Sequence, residues 1–314
     1  MTIVPLRGAP TSSLLSRVAA GQVGGVILLG AWTSPQATAA AVTQLQHVAC
    51  SKLGSPILVG VDQEGGSVRR LTWAPPTLAA SSMRTTSVAR AQAAAAAQAM
   101  REAGIAIDFA PVADTISTPR SFLGTRSFGS DPATVARLVG AFVAGLQHGG
   151  VAATAKHFPG LGSAVTSTDD HPVTIARSAA FLTARLAPFK SAIAAGTKLV
   201  MVSNASYPAL DASGAPAVFS RAIVTDLLRQ QLGFDGVVVT DALDAGAVSH
   251  VADEPGRALA AGVDLLLYSR TTASEAGYAE LVRDAARSSA VRAELAEAVR
   301  RVAALKESLA LRCS

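Results

Sequence analysis

A single-domain (β/α)8 barrel of the TIM type is the fold this sequence predicts, on three observations. A short β-branched run, a polar loop and an alanine-rich helical stretch recur eight times along the chain. The runs are apolar nearly throughout, as in parallel strands buried on both faces beneath crossover helices. The chain has 314 residues, 50% of them apolar, enough for one large core. An open doubly wound sheet is the alternative, but no G-x-G-x-x-G follows the first run and no Walker sequence is present. Gly65-Gly66 comes nearest and has the wrong spacing.

The predicted strands are Thr2–Leu6, Gly25–Leu29, Ile57–Val61, Ile107–Pro111, Val151–Ala155, Leu199–Val202, Val237–Thr240 and Val263–Leu267. Helices are predicted after them at 11–20, 36–52, 88–103, 132–147, 178–195, 220–231, 254–261 and 275–288, several opened by Ser, Thr or Asp at capping positions. A last amphipathic stretch, 290–311, is expected to cap the outside. No Pro/Ser-rich linker divides the chain, so residues 1–314 are expected to form one domain.

Composition excludes several function classes. No apolar run approaches the roughly eighteen residues that span a bilayer, and the first eight residues lack the basic start and apolar centre of a signal peptide. A membrane span is therefore not expected. The net charge of +5 is carried by scattered arginines with no basic-aromatic stripe, so no nucleic-acid partner is expected. Cys50 and Cys313 lack metal-ligand spacing. In a closed barrel the first and last helices are neighbours, so the two read either as a disulfide, with the oxidising compartment that implies, or as unrelated thiols.

The polar residues fall on one rim of the predicted barrel. Asp62 ends the third strand, Asp114 follows the fourth, Lys156 and His157 end the fifth, Asn204 the sixth and Asp241 the seventh. Ions at the ends of buried strands lose hydration unless they have partners, so a ring of them describes a polar pocket at the face where such barrels bind ligands. The segment Lys156-His157-Phe158-Pro159-Gly160-Leu161-Gly162 is the densest of these, and its loop goes on to deliver Asp169, Asp170 and His171. His157 and His171 belong to no His-x-x-x-His or His-Glu-x-x-His pair, so neither a metal site nor another cofactor is expected. Carboxylates together with amine and guanidinium donors suit glycoside hydrolysis: one carboxylate attacks the anomeric carbon, a second group protonates the leaving oxygen, and the rest hold hydroxyls.

The same residues carry a family resemblance. Gly24-Gly25-Val26-Ile27-Leu28, Val61 to Arg70 (VDQEGGSVRR), Phe109 to Asp114 (FAPVAD), Arg126-Ser127-Phe128-Gly129, Lys156 to Gly162 and Leu232 to Asp241 (LGFDGVVVTD) occur in family order across most of the chain. In these the chain resembles the bacterial β-N-acetylglucosaminidases of glycoside hydrolase family 3, (β/α)8 enzymes that trim N-acetylglucosamine from peptidoglycan fragments. The resemblance implies a carbohydrate substrate, Asp241 as nucleophile, Asp62 on the outer hydroxyls of the nonreducing sugar, and Arg70, Arg126, Lys156 and His157 as sugar-holding donors. The cell-wall substrate class, with the possible disulfide, favours an envelope or extracellular location over a cytoplasmic one, and a monomer is expected. Asp114 and Glu64 are expected to support the rim by hydrogen bonding.

The acid/base departs from the family pattern. Where the well-described members carry Asp-Ser-His, counting from Lys156 gives Ser167, Thr168 and Asp169; Leu161 stands where they have histidine, and Ser67 where they often have arginine. Asp169 occupies the histidine position, and the charge of Asp170 beside it favours the protonated form needed for proton donation. His171, two residues on, is the alternative. The loop, rich in glycine and small residues, is expected to act as a lid. β-Glucosidase or β-xylosidase specificity, a phosphorylase and a catalytically weak sugar-binding protein are the other readings.

Overall fold

The computed structural model describes residues 2–313. Eight strands, β1 (Thr2–Leu6), β2 (Gly25–Leu28), β3 (Leu58–Val61), β4 (Ile107–Asp108), β5 (Ala152–Phe158), β6 (Leu199–Val202), β7 (Val237–Thr240) and β8 (Leu266–Leu267), form one parallel sheet. Its order is β8-β1-β2-β3-β4-β5-β6-β7. A bridge between Val239 and Leu265 joins the two outermost strands, so the sheet closes into the predicted barrel.

Every residue of β2, β3, β6 and β7 is buried, which accounts for their composition, mostly Val, Leu and Ile. Side chains alternate across the barrel wall. Ile3, Ile27, Leu58, Ile107, Leu199, Met201, Val237 and Val239 fill the interior, whereas Val4, Val26, Val59, Val200 and Val238 meet the surrounding helices.

Those helices are α1 (Ser12–Ala19), α2 (Pro35–Leu53), α3 (Thr86–Glu102), α4 (Pro132–His148), α5 (Ala179–Ala184), α6 (Ala187–Ala194), a π-helical segment Ala222–Gln231, α7 (Glu254–Ala261), α8 (Thr271–Arg287) and α9 (Ser289–Ser308). Side chains of Thr11, Ser34, Thr85, Asp131, Ser178 and Ser288 accept the first free N–H groups of α1, α2, α3, α4, α5 and α9. The single helix expected over 178–195 is two, since Pro188 supplies no N–H and sits where a new helix starts.

Three further departures bear on the mouth. The fifth strand runs on through Lys156 and His157 to Phe158 instead of ending before them, with a register break against β6 between Ala155 and Phe158. The predicted fourth and eighth strands shrink to two residues each. A hairpin, Gln63–Gly65 with Val68–Arg69, follows β3. The buried Gln63 amide secures it by donating to the carbonyls of Leu71, Ala74 and Pro75 and accepting from Leu71 N–H.

Helix α9 does more than cover the outside. Val302 and Leu305 join the interior apolar cluster, and Arg301 pairs with Asp264 at 2.9 Å, so the helix seals the end of the barrel where the strands begin. Cys50, in the last turn of α2, is disulfide-bonded to Cys313 just beyond α9, which decides between the two readings of these cysteines.

Candidate active site

The opposite end, where the strands finish, holds a cavity of about 430 Å³. Asp62, Glu64, Arg70, Arg126, Lys156, His157, Asp169 and Asp241 all line it.

Lys156 sits at its floor, its side chain 3% exposed. Its ammonium donates to Asp62 Oδ1 at 2.6 Å and pairs with Glu64 Oε1 at 2.8 Å. Arg126 grips Glu64 with two parallel bonds of 2.8 Å each, Nε to Oε2 and a terminal nitrogen to Oε1. Burial works to raise the Glu64 carboxyl, but the charges of Lys156 and Arg126 overcome it and hold the group down at about 2. Burial likewise disfavours the Lys156 ammonium, and Asp62 with Glu64 reverses that and raises it above its ordinary value. The cluster therefore carries full charges in a dry place, with its atoms fixed in position.

His157 is held from behind. Asp114, fully buried, accepts from His157 Nδ1 at 2.7 Å and His157 N–H at 3.2 Å, and its other oxygen accepts from Leu161 N–H at 2.6 Å. One carboxylate thus sets the imidazole orientation, directing Nε2 to the mouth, and the start of the loop that follows β5. Beneath the mouth Asp108, also fully buried, accepts Gln63 N–H at 3.0 Å, and burial raises its carboxyl well above the usual range.

Asp241 follows β7 directly, half-buried at the cavity wall. Its Oδ1 accepts the N–H of Ala242 at 2.8 Å, while Asn204 donates to the Ala242 carbonyl at 2.8 Å and steadies the turn. Burial raises the Asp241 carboxyl; the Asp169 charge adds to that, and His157 and Lys156 oppose it. The two aspartates are therefore electrical neighbours across the mouth.

The loop carrying Asp169 is tied on both flanks. Ser117 N–H donates to Gly162 O at 3.1 Å and Phe122 N–H to Ala164 O at 3.2 Å on one side; Ala247 N–H donates to Thr168 O at 3.1 Å and Gly246 N–H to Asp169 O at 2.7 Å on the other. A turn then carries the chain outward, with the N–H groups of Asp170 and His171 directed back at Ser167 O. His171 ends up exposed and away from the cavity lining. Of the two acid/base candidates only Asp169 lines the cavity; the bonds from Gly246 and Ala247 hold the Asp169 and Thr168 carbonyls, and His171 lies beyond that anchored pair.

Several lining residues escape sequence reasoning: Arg7 after β1, Phe122, Asp244 and Ser269. Asp244 accepts Ser269 N–H at 2.8 Å and pairs with Arg270 at 3.0 Å, which joins the ends of β7 and β8. Only its place two residues past a strand-end aspartate's neighbour could have signalled it.

The family model for the glycosyl hydrolase family 3 N terminal domain matches residues 3–305. The chain belongs to this family. A family relative from Arthroderma benhamiae, an uncharacterized secreted glycosyl hydrolase, is 35% identical over 96% of this chain and 89% of its own length. Among solved structures, the β-N-acetylhexosaminidase of Beutenbergia cavernae superposes with a TM-score of 0.89 at 35% identity, over 98% of this chain and 96% of that one. The family 3 β-N-acetylglucosaminidase of a Paenibacillus strain gives 0.92 at 32% identity over 99% of this chain, which spans 61% of that longer protein.

Proposed function

We propose that this chain is a retaining glycoside hydrolase that removes terminal β-linked N-acetylglucosamine from peptidoglycan-derived or related oligosaccharides. The observation that carries the reading is the shared cavity: Asp241, Asp169 and the Asp62–Glu64–Lys156–Arg126 cluster face one space at the ends of the strands. The β-N-acetylhexosaminidase and β-N-acetylglucosaminidase structures it resembles support the choice of sugar.

With Oδ1 held by Ala242 N–H, Asp241 presents Oδ2 to the anomeric carbon. The C–O bond to the leaving group breaks as the bond to Oδ2 forms, and Asp169 gives its proton to the departing oxygen. In the second step Asp169 takes a proton from water, whose oxygen displaces Asp241 and regenerates the carboxylate. Asp62, Lys156, Arg126, Arg70 and His157 hold the ring hydroxyls, with bonds that tighten as the ring flattens. Among the described residues the buried Nε of Arg70 has no partner, which makes it a donor suited to a bound sugar.

One chain supplies every one of these groups, which supports a monomer as the active unit. The Cys50–Cys313 disulfide fits an oxidising compartment, envelope or extracellular. Phosphate as the acceptor in place of water is disfavoured by the carboxylates of Asp169, Asp241 and Asp244 around the mouth.

The deciding experiment follows hydrolysis of 4-nitrophenyl β-N-acetylglucosaminide by NMR, with and without inorganic phosphate. The β-anomer of free N-acetylglucosamine as first product, at a rate indifferent to phosphate, is expected. Inversion, a sugar phosphate product, or binding of N-acetylglucosamine without turnover would overturn the reading.

A further inference from the structure

We infer that Gly246 is a positioning residue for the acid/base: the glycine, by having no side chain, sets where Asp169 stands relative to Asp241. The inference rests on the assignment of Asp169 as the acid.

Two independent features of the geometry converge on this one residue. Gly246 N–H donates to the Asp169 carbonyl at 2.7 Å, and the next N–H, from Ala247, donates to the Thr168 carbonyl at 3.1 Å. A Cβ at position 246 would overlap the Asp170 carbonyl oxygen, lie 2.6 Å from the Asp170 carbonyl carbon and 3.0 Å from the Asp169 oxygen. These are backbone atoms, so no side-chain rotation relieves the clash. Gly246 does not adopt a left-handed conformation, so closeness of approach alone requires glycine here.

The anchor itself cannot yield. Asp241 and Gly246 belong to one turn, whose Ala242 and Ala245 pack on the barrel interior and whose Leu243 and Ala247 pack on the outer core. Leu243 N–H donates to Leu267 O at 2.9 Å, and Ala245 N–H to Ala242 O at 3.1 Å. Nucleophile and anchor are thus one rigid piece, and the two hydrogen bonds transmit its position to the loop. Any side chain at 246 lifts Asp169 off that piece while leaving Asp241 and the sugar-holding cluster in place.

The test compares kcat/KM of the parent, Gly246→Ala and Asp169→Ala on two aryl N-acetylglucosaminides, one with a good leaving group that needs no protonation and one with a poor one that does. Displacement of a catalytic group by about 1 Å is worth up to ~10²-fold, so Gly246→Ala should lose roughly ten- to a hundredfold on the poor leaving group. On the good one the loss should stay within roughly threefold, because proton donation contributes little there. A general structural defect would depress both alike. Should Gly246→Ala fail to fold by circular dichroism, Ala247→Pro removes the second hydrogen bond without adding a Cβ at 246 and carries the same expectation. If Asp169→Ala discriminates between the leaving groups and the position-246 or position-247 variant does not, the positioning role is overturned alone. If Asp169→Ala loses both equally, the acid assignment falls, and the inference falls with it.

Discussion

The Lys156 ammonium and the Glu64 carboxylate meet at 2.8 Å on the floor of the barrel mouth, each side chain only 3% exposed. A pair this dry is held within a four-membered network, since Lys156 also bonds Asp62 and Glu64 also bonds Arg126. Replacing Glu64 by glutamine leaves Lys156 with Asp62 alone and Arg126 without its two-pronged partner. A loss of about 3 kcal/mol in unfolding free energy is expected, measured by urea denaturation at neutral pH.

That pair also sets a pH signature. The Glu64 carboxyl is depressed in the folded chain from 4.5 to about 2. Its contribution is therefore complete above pH ~4.5 and disappears as pH falls toward ~2, where the unfolded chain binds the proton that the folded one refuses. The stability gap between parent and Glu64→Gln should be constant from pH 7 to pH 5 and shrink below that. A gap that widens on acidification would contradict the assignment.

Asp241→Asn should lower kcat/KM on an aryl N-acetylglucosaminide by at least ~10³-fold while leaving the circular dichroism spectrum and binding of N-acetylglucosamine intact. Full turnover in this variant would remove Asp241 from the mechanism.

The Asp169 charge helps to raise the Asp241 carboxyl. Its removal in Asp169→Ala should let Asp241 ionise at lower pH, moving the acid limb of the kcat/KM profile downward on a substrate with a good leaving group. His171→Ala, altering an exposed residue outside the cavity, should leave both the limb and the rate within about twofold of the parent.

Reduction of the Cys50–Cys313 bridge opens a loop with a sequence separation of 263 residues. The cost expected is about 2–4 kcal/mol, read from denaturation with and without reductant and compared with Cys313→Ser. Activity at 25 °C should persist, since the bridge lies beside α9 at the end of the barrel away from the cavity.

By itself the sequence determined the repeating βα pattern, the buried strands and the rim positions of Asp62, Lys156, His157 and Asp241, because each follows from local periodicity or from a strand's end. Residue counting along the loop after β5 also favoured Asp169, with His171 two residues on as the alternative. Only the tertiary structure separated them, since the separation depends on Gly246 and Ala247, nearly eighty residues further on, whose N–H groups stop at Asp169 and Thr168. The same holds for Lys156 and His157. Their neighbourhood was legible, but their partners Glu64, Asp62 and Asp114 come from the segments that follow β3 and β4, and no local pattern encodes which carboxylate reaches which cation. The extension of β5 through both residues and the seating of α9 against the interior were equally hidden. A strand's length is set by the neighbour it pairs with and a helix's place by the surface left to cover, and both exist only once the barrel has closed.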